Sequence, residues 1–430
     1  MNVQKRHPAE QLLLLMQRIY RYGMTTTSGG NLSIRDANGD IWITPAATDK
    51  GALTVDDMVC VKADGMVQGN HEPSSEFPFH RLIYQKRPDL FAIVHAHPPA
   101  LVSFSIVRRI PDIRLLPNEM EICGEIAMAP YALPGSVQLG VNIANVFAEG
   151  NNVVMLENHG VVVGASDLFK AFRVFETLDF CARLEIEASR IGQPTLVSDR
   201  VSECVRHNGT LNLNSFQPDV PSPGELNVRQ ELCRFIKRAY DQGLFNSTQG
   251  TFSKRINDNE FIITPHGVDR QYMDPEDLVL VKGGSIEAGK TPSHSILFHQ
   301  EIYKRHRHID SVIIAHPPHI MAFAVTELEF DSRTIPESYI LLRGMPKLPF
   351  DALYNRLEIT ADVFKPSTPI AIVKNNCIVV TGQGLLNTFD RLEVAEYSAK
   401  SILAAHSLGN IIHIEDSKID DLKKAFRLQG

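Results

Sequence analysis

The chain repeats itself, and the repeat decides how it must be divided. Gly23-Met-Thr-Thr-Thr-Ser-Gly-Gly-Asn-Leu-Ser-Ile-Arg35 lines up with Gly243-Leu-Phe-Asn-Ser-Thr-Gln-Gly-Thr-Phe-Ser-Lys-Arg255 at an offset of 220. At the same offset Ile41-Trp-Ile-Thr-Pro45 matches Phe261-Ile-Ile-Thr-Pro265, and Asp56-Asp-Met-Val-Cys-Val-Lys62 matches Glu276-Asp-Leu-Val-Leu-Val-Lys282. One deletion later, at offset 219, Pro73-Ser-Ser-Glu-Phe-Pro-Phe-His80 faces Pro292-Ser-His-Ser-Ile-Leu-Phe-His299, and His97-Pro-Pro99 faces His316-Pro-Pro318. At offset 217, Leu156-Glu-Asn-His-Gly160 meets Val373-Lys-Asn-Asn-Cys377. Two homologous halves in 430 residues predict two domains, 1–207 and 225–430, with an irregular Pro/Ser/Asn-rich linker over 208–224.

Within the first half, helix and strand patterns alternate. Residues 8–22 read as an amphipathic helix with Pro8 in its first turn and Gly23 as its stop. β-rich runs follow at 31–35, 41–44 and 58–62, then a helix at about 76–87 and a buried strand at 91–95. Helices near 98–107 and 136–148, a strand at 152–156 and a long helix at 166–191 complete the half. The tight turn at Asp36–Asp40 predicts antiparallel pairing, so the sheet is expected to be mixed and covered by helices, an α/β fold.

His95-Ala96-His97 closes an apolar run, which puts two imidazoles at i and i+2 on one side of a strand end. His159 ends the next apolar strand, before Gly160, whose freedom suits a backbone turning away from a crowded site. Glu76, at the start of a helix, has a carboxylate to add. Three imidazoles and a carboxylate suit Zn²⁺, with Co²⁺, Mn²⁺ or Fe²⁺ as alternatives. A bare His-x-His is also compatible with two structural histidines. The pattern of loss favours the metal: Glu76 becomes Ser295, His95 becomes Ile314 and His159 becomes Asn376, while His97 alone persists, as His316. Three candidate ligands disappear together from a scaffold that otherwise remains.

Taken together, Ser28-Gly-Gly-Asn-Leu-Ser33, Ile43-Thr-Pro45, Pro73-Ser-Ser-Glu76, His95-Ala-His97 and Asn158-His-Gly160 resemble the class II aldolase and adducin family, in particular the zinc-dependent fuculose-phosphate aldolase group. The resemblance runs over residues 8–200 and returns in degraded form over 226–405. It implies two tandem copies of a three-layer α/β/α fold with a mixed central sheet, the second without a metal site. It further implies a ligand set of Glu76, His95, His97 and His159, with Glu76 also a base, and a metal that offsets charge developing on oxygen as a carbon–carbon bond breaks. The phosphate pocket of such enzymes maps onto Gly30, Asn31, Ser74 and Ser75; the hydroxyl and glycine of its usual Thr-Pro-Thr-Gly loop are missing from Thr44-Pro-Ala-Ala47. Ser74 and Ser75 equally suit helix capping, and Gly30-Asn31 a simple turn.

A proton donor commonly follows the metal histidines in the family. Leu116-Pro-Asn-Glu-Met-Glu121 has no tyrosine there; Glu119 resembles the glutamate of the dehydratase branch, or is a surface residue. The family builds four-fold rings with sites between subunits, so Tyr339 or Glu337 of the second half is a candidate to complete a neighbour's site, in a homodimer that forms a pseudo-tetramer; a scaffolding role for that half is the other reading.

A net charge of −7 with no basic stripe argues against a nucleic-acid partner, and no apolar run is long enough for a membrane span or a signal peptide. Cys60, Cys123, Cys181, Cys204, Cys233 and Cys377 lack CxxC spacing, which predicts free thiols in the cytoplasm. The expected activity is a metal-dependent lyase, an aldolase of carbohydrate metabolism cleaving a small phosphorylated ketose or sugar acid. A decarboxylase or dehydratase of the same superfamily is the alternative, and an adducin-like binding module a third.

Overall fold

Pro8 opens the first helix, α1 (Pro8–Arg21), where its missing N–H costs nothing, and the ring of His7 caps it by accepting from the Ala9 amide (3.2 Å). The computed structural model describes residues 5–197 and 213–428. Cys204 and residues 208–212 of the expected linker lie outside them; the five described cysteines are free thiols.

In the first copy, strands β1 (Asn31–Arg35) and β2 (Ile41–Ile43) form the hairpin predicted from Asp36–Asp40. Gly39 takes the left-handed backbone of its turn (φ 86°), and Asp36 Oδ1 accepts from the Asn38 amide (2.9 Å). With β3 (Val59–Val61), β4 (Val67–Gln68), β5 (Ala92–Ala96), β6 (Ile126–Ala129), β7 (Val153–Leu156) and β8 (Val161–Ala165) they make one eight-stranded sheet, ordered β4-β3-β2-β1-β5-β8-β7-β6. Every pair is antiparallel except β6 with β7, so the sheet is mixed, as expected. Strands β4, β6 and β8 and the helix α4 (Pro117–Cys123) did not emerge from residue spacing.

All five residues of β5 are buried, as a strand covered on both faces requires. On one face, α2 (Phe77–Lys86) and α5 (Val137–Ala148) pack together through Phe79, Ile83, Ile143 and Phe147 over Ile93, Val154 and Val162. Among the described residues this copy also has the α-helices α3 (Pro99–Ile106) and α6 (Leu168–Ser189).

The second copy builds a nine-stranded sheet in the equivalent order. Lys347–Leu348, Ile370–Val373, Cys377–Gly382, Ser311–Ala315, Thr251–Asn257, Glu260–Ile263, Val279–Lys282 and Ser285–Glu287 correspond in turn to β6, β7, β8, β5, β1, β2, β3 and β4. The ninth strand, Ser215–Phe216, comes from the stretch read as linker and pairs in parallel with Ser285–Glu287; the helix Pro223–Asp241 also begins in that stretch. The chain divides into two compact units, one of everything up to Ile113 with Asn118–Arg183, the other of Arg114–Pro117 with Leu184 onward. No helix among the described residues is long and apolar enough to cross a membrane.

Candidate metal centre

The register between β1 and β5 pairs Asn31 with His95 and Ser33 with Ile93. Side chains of a strand alternate faces, so Asn31, Ser33, Ile93 and His95 all project from the face that carries α2. Glu76 is the N-cap of that helix and is 8% exposed. His97 lies one residue past β5 and before Pro98, which holds it extended, so its ring returns to the side of His95.

His159 reaches the same point from the turn between β7 and β8. The left-handed residue in that turn is Asn158 (φ 53°) and not Gly160. Gly160 serves a different need from the one expected of it: a Cβ there would stand 2.5 Å from the Ala96 carbonyl oxygen and 2.7 Å from His97 Cδ2. Glycine at 160 lets the turn press against the strand end that carries the histidines. Gly30, by contrast, does need its conformation (φ 70°), and a Cβ on it would meet His95 O at 2.9 Å.

The four side chains converge. Nitrogens of His95, His97 and His159 lie within 4.8 Å of one another. His95 Nε2 is 3.1 Å from His97 Nε2 and 3.2 Å from Glu76 Oε2, and His159 Nε2 is 3.8 Å from Glu76 Oε1. His95 donates Nδ1–H to the Val161 carbonyl (3.0 Å), which turns Nε2 toward the cluster. Burial, then the neighbouring His95, push His97 down to about 3 and His159 to about 4, so both rings are neutral at pH 7. Burial would lower His95 as well, but the Glu76 carboxylate outweighs it and holds His95 above its ordinary value. Glu76 is kept below the usual carboxylate range: burial opposes this, and His95 and the Asn31 amide overcome it.

Glu76 Oε1 and His159 Nδ1 are buried without a hydrogen-bond partner. Two neutral imidazoles, a third whose Nε2 faces inward and gives up its proton to a metal, and a carboxylate oxygen without a hydrogen-bond partner form a donor set that fits a divalent ion of the Zn²⁺ type. In the second copy Ser295, Ile314 and Asn376 supply no such set, and among the described residues the only group of three or more histidine, cysteine or acidic side chains at metal-binding spacing is His95, His97 and His159.

Other residues singled out in the sequence lie as follows. Asn31 is buried, with its amide nitrogen 2.8 Å from Glu76 Oε2. Ser74 is buried and its hydroxyl accepts from the Glu76 amide (3.3 Å) in the turn before α2, whose N-cap, Glu76, has no side-chain capping bond; Ser75 is exposed. Ala47 keeps the left-handed backbone (φ 48°) although the residue is not glycine, whereas Gly267 fills the matching position of the second copy (φ 71°). Glu119 lies on α4 and is 1% exposed, so it is not the surface residue that was one of its readings. Tyr339 is half-buried and Glu337 exposed on the helix Pro336–Leu342 of the second copy. Spacing did not reveal His80, Ser33 and Tyr84, which stand behind Asn31. A signal existed: His80 recurs as His299 although Glu76 does not recur.

The sequence model for the Class II Aldolase and Adducin N-terminal domain matches the chain twice, over residues 10–186 and 230–403. The chain belongs to the class II aldolase and adducin family. Among relatives, a 5-deoxy-D-ribulose 1-phosphate aldolase of Bacillus thuringiensis serovar kurstaki is 32% identical over 44% of this chain and 89% of its own length. A 3-oxo-tetronate 4-phosphate decarboxylase of Haemophilus influenzae is 31% identical over 41% of this chain and 85% of its own, and an L-fuculose phosphate aldolase of Methanococcus maripaludis 35% identical over 40% and 89%. Each of these class II relatives is therefore about one copy long, and this chain carries two.

Proposed function

We propose that the first copy is a metal-dependent aldehyde-lyase that cleaves a small phosphorylated ketose or sugar acid. The observation that carries the reading is the convergence of Glu76, His95, His97 and His159, with neutral His97 and His159 rings and an unpartnered carboxylate oxygen. A divalent ion held by these four supplies a Lewis acid beside the reacting oxygens. Glu76 Oε2 is held by Asn31 and His95, which leaves Oε1 as the oxygen that would face the ion, and a proton leaving a substrate hydroxyl as the carbon–carbon bond breaks would go to this carboxylate. Gly30, Asn31, Ser74, Ser75 and the amides at the start of α2 are the groups assigned to the phosphate; of the two hydroxyls, Ser75 is the exposed one. Tyr339 is assigned as an acid offered by a neighbouring chain, and unchanged turnover in Tyr339→Phe removes it from the reading.

Decarboxylation is the second reading, favoured by a buried Glu119 in a segment without tyrosine. Elemental analysis of purified protein comes first. One divalent ion per chain, absent from His159→Ala, is the expected result, and near zero in chelator-free wild type overturns the enzyme reading. A panel of ketose phosphates and 3-oxo acid phosphates then separates aldehyde release from CO₂ release.

A further inference from the structure

Behind Glu76 lies a chain of buried polar side chains that the ligand set does not use. Asn31 Nδ2 donates to Glu76 Oε2 (2.8 Å), and Asn31 Oδ1 faces His80 Nε2 (2.5 Å). His80 Nδ1 faces the Ser33 hydroxyl (2.7 Å), which in turn faces the Tyr84 hydroxyl (2.8 Å). Ser33 and His80 are fully buried, Tyr84 and Asn31 nearly so.

The chain arises from matched periods. Asn31 and Ser33 are two residues apart on β1, a step of about 6.7 Å. Glu76, His80 and Tyr84 are four apart along α2, a step of about 6.0 Å, so the rungs stay aligned from one element to the other.

Its direction follows from its end. The Glu76 oxygen accepts, so the Asn31 amide nitrogen must face it and Asn31 Oδ1 must accept from behind. His80 therefore carries its proton on Nε2. Burial drives His80 down to about 3, so it has no second proton, and Nδ1 accepts from Ser33. Ser33 has then spent its only proton, so the Tyr84 hydroxyl is the donor, its one proton facing both Ser33 Oγ (2.8 Å) and the Ser33 carbonyl (3.2 Å).

We infer that His80 is a positioning residue for the metal centre: through Asn31 it fixes the carboxylate of Glu76, in a one-way hydrogen-bond chain from Tyr84 to Ser33, His80, Asn31 and Glu76. The inference rests on the reading of Glu76 as a ligand. The second copy supplies the internal comparison. Ser253 Oγ lies 2.6 Å from His299 Nδ1 and 2.6 Å from Tyr303 OH, so the rear of the chain survives. Its front does not: Thr251 replaces Asn31 and turns to Ser293 (2.7 Å), Ser295 replaces Glu76, and His299 Nε2 is buried without a partner. The rear three residues serve both copies. Only the first connects them to an acid.

The test is made on the full chain by competition with a chromophoric chelator for Zn²⁺. His80→Leu and Asn31→Ala are expected to weaken binding by about 10–100-fold, the usual effect of removing a group that orients a metal ligand. His80→Gln, whose amide can donate forward and accept from behind, is expected to restore most of the affinity, and His299→Leu, the same change in the other copy, to leave it unchanged. Wild-type affinity in a folded His80→Leu, or an equal loss in His299→Leu, overturns the inference. A second measurement does not depend on metal: the ring-nitrogen NMR shifts of His80 in wild-type protein should report the neutral Nε2–H form, and the Nδ1–H form overturns it. If wild type binds no Zn²⁺ but His80 shows the Nε2–H form, the lyase reading has failed and the chain stands.

Discussion

His95 is the pivot of the site because its two nitrogens have different partners. Nδ1 is committed to the Val161 carbonyl, and Nε2 must choose between a proton shared with Glu76 and a metal. Since Glu76 holds His95 above its ordinary value, the metal-free protein keeps that proton up to a higher pH than His97 or His159 keep theirs, until pH passes the raised His95 pKa. Metal binding must then displace one proton. Zn²⁺ affinity is expected to rise about tenfold per pH unit between roughly pH 5 and His95's raised pKa and to level off above it. Chelator competition across that range checks this, and a flat profile would mean that His95 is neutral without metal. The sign for stability without metal is separate. The raised His95 stabilises the fold at acid pH, and that contribution is lost as pH rises through its folded pKa. The depressed His97 and His159 act oppositely, removing stability as pH falls from 6.5 toward about 4.

At the scale of elements, the site depends on one close crossing, where the turn from β7 to β8 lies against the end of β5. An alanine at 160 meets no strain in its backbone, but its methyl has no room beside Ala96 O and His97 Cδ2. Gly160→Ala is expected to lower Zn²⁺ affinity at least about tenfold and to cost about 1–3 kcal/mol of stability, as overpacking does; metal titration and denaturant unfolding read the two effects. The second copy carries Cys377 at this position, so its surviving His316 stands beside a turn that has a side chain. The same particulars show what a sequence can and cannot disclose. The helices 8–22 and 136–148 were legible within a residue or two because burial of one face imposes a period, and the strands 31–35 and 152–156 because they are short β-rich or apolar runs bounded by turn residues. The ligands were legible because they are chemically conspicuous and vanish together in the second half. Strand β8, a short apolar run four residues after β7, has no alternating period to mark it as a strand. The roles of Asn31 and Gly160 were hidden for another reason: both depend on which strand lies alongside, and pairing of β1 with β5, or of β5 with β8, is not written in local spacing.

At the scale of the molecule, duplication has left two copies with the same strand order and unequal chemistry. All four candidate ligands belong to the unit that contains residues 118–183 and those before Arg114. A ligand that binds only the folded form stabilises what it binds, by about 4 kcal/mol at a free concentration a thousandfold above Kd. For a domain of this size that is worth roughly 10 °C in Tm. Scanning calorimetry of the full chain with and without Zn²⁺ is therefore expected to move the unfolding of the first copy upward and leave that of the second in place, while His159→Ala shows no shift. If both copies shift together in wild type and neither in the mutant, they unfold as one cooperative body. If the second also shifts in His159→Ala, it binds the ion through groups other than those its sequence lost, and the single-site assignment falls.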